Sequence, residues 1–477
     1  MSDPTPASSP SFAYVFARFP SFTQTFCARE VEEMQRQGVP LKIYSLERVD
    51  HEPNQTFPPE LRAQVTYLPD EKELERIVTD WCREKRLPKE LVRVLKHWGG
   101  IGDRLRALEA VWLGEHLRAQ GIWHIHTHFG GKSARTAFWL KEFYGIGYSF
   151  TAHANDFFWS KPQTVCRQEL AEAAEFVVNV SDYGGEELMR SLPANCGPVR
   201  KVRVYNGIDL RDWNLPPPEP PAPDAPLEIV SVGRLIVKKG FGTLITACQL
   251  MKDRGTRPFL CHIIGEGPLH EDLKQQIAKE GLEQIVFLHG NQSQAAIQRY
   301  LHQASLFALA CTVEDDGGRD NLPTVIMEAM AANLPVVSTY LAAVPEMVLE
   351  EKTGLLVQPD DAEALTGAIG RILADPSLVE KWGLAGRQLC EELFDVRKTV
   401  RQLKQALHKF GAINPSEDAA KVDPELREYF AACRERVAKL QTNAAGPRKG
   451  LVLSLIRRKF RRLLFKLGKP FGAKAKS

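Results

Sequence analysis

Two carboxylates flank the start of a predicted helix in the stretch DNLPTVIMEAMAANLPVVST, residues 320–339. Pro323 suits the first turn of a helix, Asp320 lies in the loop before it, and Glu328 follows within the helix. The amide hydrogens and the dipole of a helix N-terminus attract anions, so carboxylates at this position do not serve to hold phosphate. We interpret them as acceptors for hydroxyl groups of a ribose or a donor sugar. The alternative is that Asp320 caps the helix and Glu328 forms a surface ion pair.

A second group of residues has the chemistry needed to bind phosphate. Glycine lets the backbone approach a ligand closely, and arginine and lysine in the same crevice would neutralise a phosphate pair. The simplest ligand that fits is a nucleoside diphosphate, although the glycines could also only turn the chain and the lysines could be solvated. The group follows two apolar runs and comprises Gly233, Arg234, Lys238, Lys239, Gly265 and Gly267.

Alternating strands and helices must bring these residues together. Short apolar runs separated by helical periodicity are typical of a parallel sheet covered on both faces. In such sheets the ligand binds beyond the carboxyl ends of the strands, where these residues are expected. The pattern is clear in the second half, in LEIVSV, FLCHII, QIVFL, ASLFALA, LPVVST and TGLLVQ, and fainter in the first, in FAYVFARF, LKIYSL, IWHIHTHFGG, GYSFTAH and EFVVNVS. The sequence predicts an α/β protein with two doubly wound, Rossmann-like domains facing each other across a cleft.

The proline-rich segment DWNLPPPEPPAPDAPL divides the chain into two halves of similar size. We predict five segments: an N-terminal Rossmann-like domain at 1–211, a linker at 212–227, a C-terminal Rossmann-like domain at 228–411, a helical extension at 412–447 and a basic tail at 448–477.

Composition limits the class of protein. The 477 residues are 44% hydrophobic and 25% charged, which excludes a disordered or collagen-like chain and allows two or three domains. The nine cysteines are scattered and contain no C-x-x-C pair, a pattern typical of a reducing cytosol. The sequence shows no signal peptide and no apolar run long enough to span a membrane. We therefore expect a cytoplasmic protein.

The basic tail predicts contact with a membrane surface. Residues 448–477 carry eleven lysines or arginines and no acidic residue, so the rest of the chain has a net charge of −8. Within the tail, apolar residues recur at helical spacing and arginines fill the gaps, which predicts a basic amphipathic helix on an anionic surface. The alternatives are a solvated tail or a nucleic-acid contact; we predict no nucleic-acid partner.

Three histidines alternate along one predicted strand, at His124, His126 and His128, and could share a face. Zinc can use such a geometry, but buried or cleft histidines satisfied by neighbouring groups explain the pattern as well. The chain has no D-x-D triplet of the kind that metal-dependent sugar transferases use. We predict no metal and no cofactor, with a nucleotide-diphosphate sugar acting as co-substrate.

Taken in order, the motifs resemble the retaining GT-B glycosyltransferases of glycosyltransferase family four. The resemblance to their donor-binding domain covers Val232 to Asp361, and the N-terminal half resembles, less strongly, the branch that builds exopolysaccharides such as colanic acid. The motifs that carry it are VGRLIVKKG, IIGEGP, FLHG, DNLPTVIMEAMAANLPVVST, VPEMVLEEKTGLLVQPDD, YNGID, HTHFGGKSA, TAHANDFF and FPSFTQTF.

The resemblance implies roles for individual residues. Arg234 and Lys239 would grip the donor diphosphate, and Glu328 would hold the ribose. Asp320, where the family usually has a glutamate, would contact the donor sugar. His153 would lie across the cleft near the reacting sugar. Backbone amides near Leu322, Pro323 and Thr324 would assist Asp320, and Asp156 would support the loop of His153.

The resemblance also implies a function. The expected enzyme is a retaining hexosyltransferase that extends an exopolysaccharide or other cell-surface glycan, with a glycan or lipid-linked glycan as acceptor. Its expected location is the inner face of the cell membrane, as a peripheral protein held by the tail. The alternatives are a nucleotide-sugar epimerase or a transferase with a soluble acceptor on the same fold, or a non-catalytic sugar-nucleotide-binding protein.

Overall fold

The computed structural model of the chain describes residues 12–21, 24–49, 57–87, 91–92, 103–154, 156, 165–213 and 225–413. Most of the predicted linker, the helical extension from residue 414 onward and the basic tail lie outside the described residues.

The N-terminal part forms a seven-stranded parallel sheet. The strand order β3-β2-β1-β4-β5-β6-β7 shows that the chain winds outward from β1, returns to the centre and winds outward again from β4. The strands are β1 Phe12–Arg18, β2 Leu41–Glu47, β3 Val65–Tyr67, β4 His124–His128, β5 Gly147–Ala152, β6 Phe176–Asn179 and β7 Lys201–Arg203. The helices are α1 Thr25–Arg36, α2 Pro59–Ala63, α3 Glu71–Arg83, α4 Arg104–Ala119, α5 Lys132–Tyr144, α6 Arg167–Ala173 and α7 Asp182–Ser191.

The C-terminal part repeats this plan with six parallel strands in the order β10-β9-β8-β11-β12-β13. Its winding direction reverses between the adjacent strands β8 and β11, and a reversal of this kind opens a crevice at the carboxyl ends of the strands. The strands are β8 Leu227–Val232, β9 Phe259–Ile264, β10 Val286–Leu288, β11 Leu306–Ala308, β12 Val336–Thr339 and β13 Gly354–Val357. The helices are α8 Phe241–Asp253, α9 His270–Lys279, α10 Gln294–Gln303, α11 Thr324–Ala331, α12 Val344–Met347, α13 Ala362–Ala374, α14 Pro376–Leu393 and α15 Val396–Lys409.

The structure confirms the fold predicted from the apolar runs, two Rossmann-like units with a parallel sheet in each. The predicted C-terminal basic amphipathic helix lies outside the described residues. Two short strands, β3 and β7, were not predicted. Each has three residues at an edge of the N-terminal sheet, and its sequence, VTY or KVR, contains no apolar run. These two edge strands are largely exposed or half-buried, so their sequences lack the signal that burial imposes.

The last described helix connects the two units. Helix α15 follows the C-terminal sheet in the chain, yet its buried residues Val400, Leu403 and Leu407 belong to the apolar core on one face of the N-terminal sheet. The chain enters α15 through a backbone pairing in which the amide of Ile208 donates to the carbonyl of Phe394, at 2.8 Å. The domain bounds drawn from the sequence remain predictions.

Among the described residues, none of the helices combines the length and apolarity needed to cross a lipid bilayer.

Gly240, between the β8 loop and α8, provides a test of the packing that shapes the crevice. Its φ is +67°, and a Cβ atom there would lie 1.7 Å from the carbonyl oxygen of Ala310, after β11. We expect Gly240→Ala to lower the free energy of unfolding by at least about 2 kcal/mol, because the left-handed conformation is costly for alanine and the backbone must also move. The measurement is urea denaturation followed by tryptophan fluorescence.

The matched control for this substitution is Gly367→Ala in α13. No atom lies within 4 Å of the added methyl group there, so we expect a gain of roughly 0.5–1 kcal/mol from the higher helix propensity of alanine. Equal shifts of the unfolding midpoint in the two variants would show that the β8 and β11 loops are not packed as described.

Candidate donor-binding site

Two loops meet at the reversal point of the C-terminal sheet. The first follows β8 and contains a short 3₁₀ turn, Val237–Lys239, and the second follows β11. The amide of Thr312 donates to the carbonyl of Lys238 at 3.0 Å, which ties the two loops together. Because β8 and β11 are adjacent strands, the residues that follow them share one edge of the sheet.

Asp320 lies between two lysines in this crevice. Its carboxylate forms an ion pair with Lys239 Nζ and a second, at 3.3 Å, with Lys238 Nζ. Burial opposes the charges of both groups, but their mutual attraction outweighs it. The pKa of Asp320 is therefore held below its usual value by Lys239 and Lys238, and the pKa of Lys239 is raised by Asp320. These three side chains thus combine two positive charges with one negative charge.

Helix α11 begins beside this cluster without a side-chain cap. The helix starts at Thr324, Pro323 occupies the N-cap position, and no side chain accepts a hydrogen bond from the first turn. Asp320 is therefore not a capping residue. Leu322 and Pro323 are buried and Thr324 is half-buried. The amides of the first turn are thus not covered by a capping side chain and can interact with an anion.

Glu328 points across the interface between the two domains. Its Oε1 lies 3.1 Å from a guanidinium nitrogen of Arg29, on α1 of the N-terminal domain. Both side chains are largely covered, with 9% and 16% of their surfaces exposed. The ion pair proposed as an alternative from the sequence is present, but it is an interdomain contact in the cleft rather than a surface pair.

The glycines of the predicted phosphate loop bring two loops of the protein together. The amide of Gly233 donates to the carbonyl of Ile264 at 3.0 Å, and a Cβ at Gly265 would lie 2.0 Å from the carbonyl oxygen of Gly233. A Cβ at Gly267 would lie 2.4 Å from the carbonyl oxygen of Leu235. Glycine at positions 265 and 267 is therefore required by contact between the loops after β8 and β9. That contact fixes the backbone beside the lysines.

Arg234 lies in the β8 loop with an exposed side chain, close enough to Lys239 that its charge opposes that of the ammonium group. The structure thus brings together Arg234, Lys238, Lys239 and Asp320 at the end of β8 and β11. Glu328 lies one helix turn into the adjacent α11, facing Arg29.

His153 and Asp156 form a turn at the end of β5 in the N-terminal domain. The backbone amide of His153 donates to Asp156 Oδ2 at 2.8 Å, and the amide of Asp156 donates to the carbonyl of His153 at the same distance. Burial raises the pKa of Asp156 to about 6, although the backbone hydrogen bonds from His153 and Gly130 favour its charged form. Asp156 therefore holds the backbone of His153 in place.

The three histidines of β4 are buried and hydrogen-bonded. His126 contacts Ser149 Oγ at 2.8 Å and Thr151 Oγ1 at 2.9 Å, and His124 contacts Ser149 Oγ at 2.9 Å. Burial lowers the pKa of His124 and of His126 to about 3, so both are neutral. Within the part of the chain that the structure describes, the group with atoms close enough to share a metal ion is Glu30, His126 and His128, within 4.8 Å of one another. Because both nitrogens of His126 already have protein partners, this geometry favours a hydrogen-bond network.

Several interdomain contacts were not predicted from the sequence. Glu346, in α12, accepts hydrogen bonds from the amides of Asp182 and Tyr183 at the start of α7, at 3.0 and 2.8 Å. Next to Asp320, Asn321 exchanges hydrogen bonds with Ser181. Glu346 belongs to the motif VPEMVLEEKTG, which marked it as part of the donor domain. Its partner in the other domain has no sequence signal, because the contact depends on how two separate sheets are placed.

Comparisons with known proteins agree with this geometry. Residues 217–389 match the family described as "Glycosyl transferases group 1". The chain is 37% identical over 213 residues to the amylovoran biosynthesis glycosyltransferase AmsK of Erwinia amylovora, covering 44% of this chain and 52% of that protein. It is 35% identical over 199 residues to the putative colanic acid biosynthesis glycosyltransferase WcaL of Escherichia coli strain K12, covering 42% and 47%. The chain thus spans about half the length of the curated relatives it matches.

The fold also matches the full length of a solved structure. The Anabaena protein HepE in complex with UDP superposes with a TM-score of 0.61 and 16% identity, covering 84% of this chain and 100% of that chain. At this identity the likeness concerns the fold alone, and it confirms the GT-B architecture. Residues 217–389 thus match the glycosyl transferases group 1 family, and the chain is similar to glycosyltransferases of exopolysaccharide biosynthesis, as its motifs predicted.

Proposed function

We propose that the protein is a retaining glycosyltransferase that moves a sugar from a nucleoside-diphosphate sugar to a growing exopolysaccharide. The observation that carries the proposal is the cluster of Lys238, Lys239 and Asp320 at the reversal point of the C-terminal sheet, beside the uncapped start of α11. The names of the relatives, which refer to amylovoran and colanic acid biosynthesis, support the acceptor class. The UDP complex of the structural neighbour supports the donor class.

The reaction needs positive charge at one end of the breaking bond. The bond between the anomeric carbon and the diphosphate breaks, a bond from that carbon to the acceptor oxygen forms, and the acceptor proton passes to the departing phosphate. Negative charge then accumulates on the diphosphate, where Arg234, Lys239 and the first-turn amides of α11 stabilise it. One such interaction contributes roughly 3 kcal/mol, or about a hundredfold in rate.

Asp320 changes partner when the donor enters. While its carboxylate is paired with Lys238 and Lys239, it keeps the two ammonium groups in place against their mutual repulsion. An incoming diphosphate brings its own negative charge to Lys239, which releases Asp320 to accept a hydrogen bond from a hydroxyl group of the sugar. This exchange accounts for both the observed ion pairs and the contact that the resemblance implies.

The acceptor approaches from the N-terminal side of the cleft. His153 contacts the reacting sugar, and a lipid-linked glycan is the acceptor that agrees with a basic tail on the inner face of the cell membrane. The tail concentrates the enzyme at the anionic surface where such an acceptor resides. Closure of the two domains excludes water from the donor.

Lys239→Ala tests the diphosphate site. A panel of nucleoside-diphosphate sugars is screened by thermal shift, and we expect the cognate donor at about 100 times its Kd to stabilise the wild type by about 2.7 kcal/mol. The same donor is expected to bind Lys239→Ala at least about tenfold more weakly, and kcat/KM to fall about a hundredfold. Arg234→Ala is expected to show a loss in the same direction.

The control for Lys239→Ala is Lys274→Ala, which removes an exposed lysine from α9 of the same domain. It is expected to bind donor like the wild type. Full donor affinity and turnover in both Lys239→Ala and Arg234→Ala would refute the diphosphate assignment.

Glu328→Gln tests the ribose contact. If the carboxylate accepts hydrogen bonds from ribose hydroxyls, the substitution weakens binding of the cognate nucleoside diphosphate by about 1.5–3 kcal/mol. The affinity for its 2′,3′-dideoxy analogue is expected to change little, because the hydroxyl groups are already missing. Calorimetric titration of both proteins with both ligands measures the difference, and equal losses for the two ligands would place the ribose elsewhere.

Deletion of residues 448–477 tests the membrane role of the tail. We expect the full-length protein to co-sediment with vesicles containing phosphatidylglycerol, with binding that weakens as salt rises, and the deletion variant to stay in solution. Vesicles of phosphatidylcholine alone are the lipid control. Equal binding by the full-length and shortened proteins would show that the tail does not anchor the enzyme.

A further inference from the structure

Two histidines meet at the carboxyl ends of the adjacent strands β4 and β5. His128 Nδ1 lies 3.2 Å from His153 Nε2, within hydrogen-bond distance. Two ring nitrogens in contact share one proton, so one of them donates and the other accepts. The ring centroids of Phe26 and Phe129 lie 5.1 and 4.3 Å from the ring centroid of His153, and the two rings restrict its orientation.

The charge of His128 decides which ring donates, and the partner of its second nitrogen bears on that charge. His128 Nε2 lies 3.1 Å from Glu30 Oε1, and the same oxygen accepts a hydrogen bond from the hydroxyl of Tyr14 at 2.7 Å. An ionised carboxylate only accepts hydrogen bonds, so His128 Nε2 carries a proton. A largely covered carboxylate also needs a positive partner nearby, and His128, with 1% of its side chain exposed, supplies it.

The electrostatic balance agrees with this assignment. Burial opposes a charge on His128, but contacts with Cys27 and Glu30 outweigh it and raise the pKa of His128 to about 10. Burial likewise opposes a charge on Glu30, whose pKa is nevertheless lowered by His128 and by the hydroxyl of Tyr14. The pKa of His153 is lowered well below its usual value by burial and by the charge on His128. His128 is therefore the charged ring and His153 the neutral one.

The titratable groups that face His128 come from every element around it. They are Tyr14 on β1, Cys27 and Glu30 on α1, His126 on β4, His153 after β5, and Asp156 in the loop beyond.

Helix α1 connects this network to the donor site. Glu30 contacts His128, while its neighbour Arg29 contacts Glu328 in the C-terminal domain at 3.1 Å. One turn of α1 thus touches both the histidine pair and the carboxylate assigned to the ribose, which locates the pair at the cleft.

We propose that His128 is a positioning residue that fixes the tautomer of His153. His128, protonated on both nitrogens, donates its Nδ1 hydrogen to His153 Nε2, so the one proton of His153 lies on Nδ1. The atom of His153 that remains for the sugar is then a hydrogen-bond donor and not a base. This assignment rests on the proposed function, because the proposed reaction places a sugar beside His153.

Nitrogen NMR of the ¹⁵N-histidine-labelled full-length protein tests the tautomer directly. His153 is expected to show a protonated Nδ1 and a bare Nε2 at pH 7, and His128 to show two protonated nitrogens. Spectra of His153→Gln and His128→Leu assign the signals. A protonated Nε2 on His153, or a singly protonated His128 at pH 7, would overturn the proposal. The test needs no substrate, so it decides the tautomer even if no nucleotide sugar is turned over, a result that would instead refute the proposed function.

Kinetics test the consequence. With the cognate donor, His128→Leu is expected to lower kcat by about tenfold or more while the donor KM stays within about threefold, because the lost hydrogen bond acts at the reacting sugar. The matched control is His124→Leu, which removes another buried histidine of β4 that contacts Ser149 and not His153; its kcat is expected to stay within about threefold of the wild type. An equal loss of kcat in the two variants would show that His128 contributes only through packing.

The pH profile separates the charge of His128 from its size. Wild-type activity is expected to fall as the pH rises through about 10, where His128 loses its proton. Glu30→Gln removes the carboxylate that stabilises the charged ring, so this decline is expected to move to lower pH. An unchanged alkaline limb in Glu30→Gln would contradict the proposal.

Discussion

Charge compensation in a poorly solvated cleft governs how the functional residues are arranged. The proposed diphosphate site needs cationic groups close together, and these groups repel one another unless an acid lies between them. Asp320 meets that need for Lys238 and Lys239. The same solution recurs where Arg29 faces Glu328 and where His128 faces Glu30. Removing one partner of such a pair costs about 3–5 kcal/mol when the pair is fully buried.

These pairs differ in what they join. The lysine pair connects two loops of one sheet, the His128–Glu30 pair connects a strand to the helix that covers it, and the Arg29–Glu328 pair connects two domains. Glu346 adds a second interdomain contact by accepting the first amides of α7. Polar groups on both domains thus hold the N-terminal domain against the C-terminal one.

How much of the structure could be predicted depends on which property of the fold each sequence pattern reflects. Buried strands need apolar residues, and all of the predicted runs became strands, including the edge strands β10 and β13. The more exposed edge strands β3 and β7 carried no such run. The residues after β8 and β11 were predicted to meet because parallel strands end at the same edge. Arg29 could not be predicted, since its place opposite Glu328 depends on the packing of one domain against another. The partners of His128 were not predicted either, because alternation along a strand shows a shared face but not what covers it.

The position of helix α15 has a consequence for how the protein folds while it is being synthesised. Its apolar side completes the core of the N-terminal sheet, beside Phe12 and Tyr14, although it is among the last parts of the described chain to leave the ribosome. Domains generally fold as units during translation, starting from the N-terminus. Helix α1 already covers part of this face, but the part that α15 covers stays exposed in the nascent N-terminal domain while nearly the whole C-terminal domain is synthesised. That exposed apolar surface is of the kind that a chaperone recognises.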